Sequence, residues 1–151
     1  MTDYNEMLNR SWDEIPETRT LPVGSWLLEG RNIVYMEKSG TTNARALLFY
    51  KPLEPMTDVN VKELEALGKD YDLSNNDVVA TFWLERNKDW EALREHLELH
   101  GINTKGKPQI ETFKAFKGSK IVSYLDVKNF KTKTGAMKED NEPVSFARFE
   151  E

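Results

Sequence analysis

The chain has 151 residues, of which 38% are hydrophobic, and its 21 Lys plus Arg against 26 Asp plus Glu give a formal charge of −5. At roughly 100–200 residues per domain this is room for one domain with one core, and 16 aromatics (7 Phe, 4 Trp, 5 Tyr) supply bulk to fill it. Cys is absent, which excludes disulfides, a thiolate zinc site and a Cys nucleophile, and no apolar run approaches the about 20 residues of a membrane span.

The first residues, Met1-Thr2-Asp3-Tyr4-Asn5-Glu6, are polar and acidic. They lack the basic start and apolar stretch of a secretory signal, so a soluble intracellular protein is expected. Residues 1–20, with Trp12 and Ile15 ahead of Pro16, read as an N-terminal arm. The turn Leu21-Pro22-Val23-Gly24 opens a domain expected over 21–149. Ser25 to Met36 is a first strand, in which Gly30 marks a bulge or bend. After the polar turn Lys38 to Asn43, a second strand runs from Ala44 to Lys51 and is ended by Pro52. The polar insertion 52–76 contains one short helix over 59–67, capped by Gly68. Asp77 to Leu84 is a third strand, and its continuous apolar run predicts burial on both faces. Asp89 is placed as the N-cap of a helix Trp90–His100, with Trp90, Leu93 and Leu97 on one side and Gly101 after it. A half-helical piece, Ile110 to Phe116, ends at Gly118. Ser119 to Phe130 then alternates as a fourth strand. Ile121, Ser123, Leu125 and Val127 face the core, and Val122, Tyr124, Asp126, Lys128 and Phe130 face outward. A polar loop from Lys131 to Asn141 leads to a last short strand with Val144, Phe146 and Phe149.

The expected class is therefore mainly β: a five-stranded, OB-like Greek-key barrel with a helix between strands three and four and an extra short helix between strands two and three. An α+β domain on a mixed sheet is the alternative.

Charge is sorted along the chain. Eleven basic and nineteen acidic side chains leave residues 1–100 at −8, whereas nine Lys against Glu111 and Asp126 put residues 101–138 at +7. Residues 139–151 form an acidic end at −4 that overlaps the last strand. A Lys-rich stretch beside an acidic end fits a surface facing a polyanion.

Enzyme signatures are weak. His96 and His100 stand at i, i+4 on one helix, a metal-ligand spacing, but no third ligand is evident and two surface histidines near a helix C-terminus is the simpler reading. Asp126 and Lys128 resemble the end of a metal-dependent nuclease motif without its second carboxylate. No serine-hydrolase elbow, Walker loop or dinucleotide fingerprint occurs. No catalysis, cofactor or metal is implied. The stronger pattern is aromatics interleaved with cations, the combination that stacks bases and tracks phosphates in single-stranded nucleic acid. Arg31 and Tyr35 share a strand, Tyr50 and Lys51 end the next, and Tyr124, Lys128 and Phe130 share a face that Lys131 and Lys133 continue. Trp26, Phe49, Phe82, Trp83 and Trp90, with apolar neighbours, are assigned to the core.

A resemblance follows from the order of elements, the strand start Phe116-Lys117-Gly118-Ser119-Lys120-Ile121-Val122, the Lys-rich loop before the last strand and the ending Phe149-Glu150-Glu151. Together they look like the small phage-encoded single-stranded-DNA-binding proteins of the OB type. The opening Trp12-Asp13-Glu14-Ile15-Pro16 and Leu21-Pro22-Val23-Gly24 is similar to the start of phage proteins placed near that group. The resemblance implies sequence-independent coating of DNA during phage replication or recombination in the cytoplasm of a bacterial host. It also implies an acidic end that recruits phage replication or recombination proteins or competes with DNA, and it is compatible with a homo-oligomer. The extra helix is not part of that pattern. The rival reading is a phage protein-interaction or virion component without nucleic-acid binding.

Overall fold

Strands form where β-branched, aromatic and aliphatic residues alternate or cluster. The computed structural model describes residues 19–150, so residues 1–18 of the expected arm lie outside the described residues. The strands are β1 (Gly24–Met36), β2 (Arg45–Pro55), β3 (Val78–Trp83), β4 (Lys120–Lys131) and β5 (Met137–Arg148). They make one antiparallel five-stranded sheet in the order β3-β2-β1-β4-β5. Helix α1 (Val61–Leu67) lies between β2 and β3, and α2 (Asn87–Leu99) and α3 (Gln109–Phe116) lie between β3 and β4. The expected mainly β class and element order are thus present. The sheet is open: β3 and β5 are its edges and no hydrogen-bond ladder joins them, although some of their Cα atoms come within 8 Å.

The core sits under one face of this sheet, where Trp26, Leu28, Leu48, Tyr50, Ile121 and Leu125 meet Leu93 and Leu97 of α2 and Phe116 of α3. Gly30 is the expected bulge. Register slips between Gly30 and Asn32, and the Gly30 N–H donates to Ser119 O (2.8 Å) while the Gly118 N–H donates to Gly30 O (2.9 Å). The turn after α3 is thereby bonded to the middle of β1.

Four expectations are corrected. Strand β2 continues through Pro52 to Pro55, because the β3 ladder ends at the Tyr50–Val78 pair and beyond it Pro52 sits where one side of β2 is free. Strand β3 is buried on one face only: Val78 and Ala80 are buried while Thr81 and Trp83 are exposed, since among the described residues the outer face has no covering layer. Asp89 is not the N-cap. The helix starts earlier, at Asn87, and Asp89 takes its third position, where its carboxylate accepts from the Glu85 and Arg86 N–H groups (both 3.0 Å).

The fourth correction concerns the polar loop to Asn141. A tight turn closes at Thr132 and Ala136, and β5 begins at once, paired with β4 from Met137–Lys131 to Arg148–Ile121. Asn141 fixes this polar strand. Its buried amide donates to Leu21 O and accepts from Leu21 N–H, each at 2.9 Å. Glu139, Asp140 and Glu142 are therefore strand residues and not a tail.

Candidate nucleic-acid interface

The structure separates the residues that sequence grouped. Arg31 is the unpaired residue of the Gly30–Asn32 bulge, and a bulge re-aims its side chain. The guanidinium turns to the β2–β3 insertion, donating to Ser74 O (2.7 Å) and Asn76 O (3.2 Å) with Nε 3.1 Å from Asp77 Oδ1. It holds the insertion. The same bulge flips the rest of β1, so Tyr35 pairs with Ala46 and lies against Trp90 of α2, ring centroids 5.9 Å apart. Tyr50 is 0% exposed and cannot stack a base: alternation along β2 puts it beside Leu48 on the core face. Lys51 faces outward opposite Glu29. Tyr124 is 39% exposed on β4 between Ser25 and Ser145. Lys128 and Phe130 lie further along the same face, and Lys131 and Lys133 stand at the exposed tip of the β4–β5 hairpin.

Lys128 and Phe130 meet partners that sequence had assigned to the core. Between the free edges of β3 and β5 runs a cleft of about 650 Å³, lined on one side by Val79–Trp83 and on the other by Lys128, Phe130, Asp140–Pro143 and Phe146. Trp83 is 50% exposed and Phe130 41%. The Arg45 guanidinium lies 5.5 Å from the centroid of the Trp83 ring, within cation–π range. Cross-strand pairing extends this surface over the outer face in three rows: Met36–Arg45–Trp83, Val34–Leu47–Thr81 and Asn32–Phe49–Val79. Phe49, Arg45 and Trp83 were missed because Asp77–Leu84 and Ala44–Tyr50 are apolar on both faces. Period two puts Val79, Thr81 and Trp83 on one face and Val78, Ala80 and Phe82 on the other, but which face is covered is decided outside the strand.

The cleft is electrically mixed. Lys128 is opposite Asp140, and Asp126 opposite Glu142, on the outer face of the hairpin. The ion pairs among the described residues use Arg31, Arg86 and Arg94, so no Lys of the 101–138 segment lies within 4 Å of a described carboxylate.

Behind the cleft, the two histidines expected at the surface are packed inside. His96 is buried between Phe82 of β3 (4.8 Å) and Phe146 of β5 (4.5 Å), and His100 stacks on Tyr50 (5.6 Å). One hydroxyl orders the cluster. The Ser119 O–H donates to Phe116 O (2.6 Å), so Ser119 Oγ accepts from His100 Nδ1–H (3.2 Å), leaving His100 Nε2 as acceptor for the Tyr50 O–H (2.9 Å). Tyr50 Oη in turn accepts from His96 Nε2–H (2.6 Å). Both Nε2 atoms aim at the Tyr50 hydroxyl, which occupies the point where a bridging metal would stand. No group of three or more His, Cys, Asp or Glu side chains among the described residues is arranged to hold a metal, and no helix there is long and apolar enough to cross a membrane.

Burial lowers the His96 pKa to about 4; it lowers that of His100 to about 3, with the neighbouring His96 adding to the effect, and it raises that of Tyr50. The unfolded chain takes up these protons near pH 6.5, while the folded chain resists them down to the lowered values. Stability is therefore fully present above about pH 6.5 and is lost as pH falls toward 4 and 3. Unfolding free energies from urea titrations at pH 7, 6 and 5 are expected to decline, by up to about 1.4 kcal/mol per pH unit for each histidine. A His96→Leu/His100→Leu protein that still folds should lose this slope.

Comparison with known proteins finds no protein-family model that matches the chain and no curated protein that matches it.

Proposed function

We propose that the protein is a non-catalytic binder of single-stranded DNA built on a partly open OB-like Greek-key barrel, with phage replication or recombination as its setting. The observation that carries this reading is the half-exposed Trp83, flanked by Arg45, sharing one cleft with Phe130 and Lys128. Aromatic faces stack bases without choosing among them, at about 1–3 kcal/mol per base. Trp83, Phe130 and Phe49 take that role here, in place of Tyr50. Arg45, Lys51, Lys128, Lys131 and Lys133 take the phosphates, and Tyr124 lies on the same face beyond the cleft. The carboxylates of Asp140 and Glu142 repel phosphate from the cleft floor, which leaves bases inside and the backbone along the lysine-bearing rim.

Titration with oligo-dT should quench tryptophan fluorescence, and the affinity should fall steeply as salt rises. Trp83→Ala is expected to weaken binding at least about fivefold, the lower end of one stacking contact. Lys131→Glu with Lys133→Glu should weaken it more than Lys62→Glu with Lys69→Glu. No signal with oligo-dT at low salt removes this reading. A stable homo-oligomer or bound protein partner without salt-dependent nucleic-acid binding would favour the protein-interaction or virion role.

A further inference from the structure

Trp83 borders a second cleft. On the side of the β1–β2 loop it forms a shallow, open hollow of about 410 Å³ with Thr41, Thr42, Asn43 and Glu85. The hollow is built from fixed parts. The loop is closed by reciprocal bonds, Ser39 N–H to Thr42 O (3.0 Å) and Thr42 N–H to Ser39 O (2.9 Å), and Leu84 N–H donates to Ala44 O (2.9 Å). The Glu85 backbone N–H is held by Asp89 of α2, and its carboxylate accepts from Asn43 Nδ2 through Oε1. Glu85 is thereby an oriented acceptor beside an exposed indole, with Arg45 over that indole and Lys38 in the adjoining loop.

An oriented carboxylate next to a stacking ring has a definite chemical preference. It accepts hydrogen bonds from an exocyclic amine, as cytosine offers at N4, and is repelled by the O4 oxygen that thymine presents at the same place. The hydroxyls of Thr41 and Thr42 donate or accept and add no such bias. We propose that this hollow is a base-reading subsite: one nucleotide of the bound strand stacks on Trp83 and turns its amino-bearing edge to Glu85, so that cytosine is accepted over thymine. The inference rests on the single-stranded nucleic-acid reading above and makes that binding sequence-tolerant with one selective position.

The test compares oligo-dC with oligo-dT, about 12 nucleotides each, a length within the span of one such domain. Both are pyrimidines, so stacking on Trp83 is similar and the edge is what differs. The full chain at low salt and pH 7.5 is expected to bind oligo-dC about tenfold more tightly, the scale of one base-edge contact. Glu85→Ala removes the acceptor, and Glu85→Gln supplies an amide that can turn either atom to the base. Both should bring the ratio to about one, by weakening oligo-dC binding and relieving the repulsion of thymine. Equal affinities in the parent chain, or a ratio that survives Glu85→Ala, overturns base reading and leaves single-strand binding standing. Failure to bind either oligonucleotide overturns both.

Discussion

Replacing Gly30 by Ala is expected to destabilise the fold by about 3 kcal/mol or more, the upper end of the cost of overpacking a core. A Cβ at this position would stand 2.3 Å from the Phe116 carbonyl oxygen and 2.9 Å from its ring. Phe116 is wholly buried, and the carbonyl belongs to the turn that Gly30 itself binds through Ser119 and Gly118. Neither neighbour is the free end of a flexible side chain, so relief requires moving backbone. Displacing that turn also moves Ser119, whose hydroxyl fixes the tautomer of His100, and the Tyr50 cluster loses its ordering with it. A thermal melt should place the variant about 10 °C below the parent, taking about 2–4 °C per kcal/mol for a chain of this size. A shift of under 2 °C would mean that the turn yields freely. Ala at Gly40, whose Cβ position meets no atom within 4 Å but whose φ of +57° strains any L side chain, shows the cost of chain entropy and backbone strain without a clash.

Removing residues 139–151 should have a larger effect still. Read as a tail, the segment ought to be dispensable, and its loss would tighten DNA binding by removing competing charge. As observed it is most of β5, and three kinds of contact go with it: the ladder on β4, the two Asn141 bonds that pin Leu21, and the Phe146 ring that walls off His96. The shortened chain is expected to show no cooperative unfolding transition and to expose its tryptophans. Asn141→Ala in the full chain isolates one part of this loss. It leaves the Leu21 N–H and C=O unsatisfied in a buried setting, at about 1–3 kcal/mol for each such group. If the truncated chain melts cooperatively near the parent temperature, β5 is not integral to the fold.

Local patterns made most of the architecture readable, and the failures share one physical origin. Ile121, Ser123 and Leu125 alternate cleanly with Val122, Tyr124 and Asp126, so the faces of β4 followed from sequence alone. Where both faces of a strand are apolar, as in Val78 to Trp83, alternation carries no contrast, and whether a layer covers the outer face is a tertiary fact. Where both faces are polar, as in Met137 to Asn141, nothing local marks a strand; pairing with β4 and one buried amide decide it. His96 and His100 were misplaced because their surroundings come from β2, β3, β5 and the α3–β4 turn, none of them near in sequence. Arg31 and Tyr35 part company at the Gly30 bulge, which reverses side-chain parity for the residues beyond it. The grouping of Lys128 with Phe130 followed from spacing, whereas their proximity to Trp83 follows from the curl of the sheet.

The open sheet also bears on how copies of this chain behave at high concentration. Two strand edges with unpaired backbone groups invite a second chain to continue the ladder, the route to aggregation. Strand β5 carries Glu139, Asp140 and Glu142, and two such edges brought together would set like charges against one another. The acidity that resembles a recruiting tail in the sequence thus lies along an exposed edge. Strand β3, with Thr81 and Trp83 outermost, carries no charge of its own, and the hairpin arm across the cleft is what stands between it and another molecule.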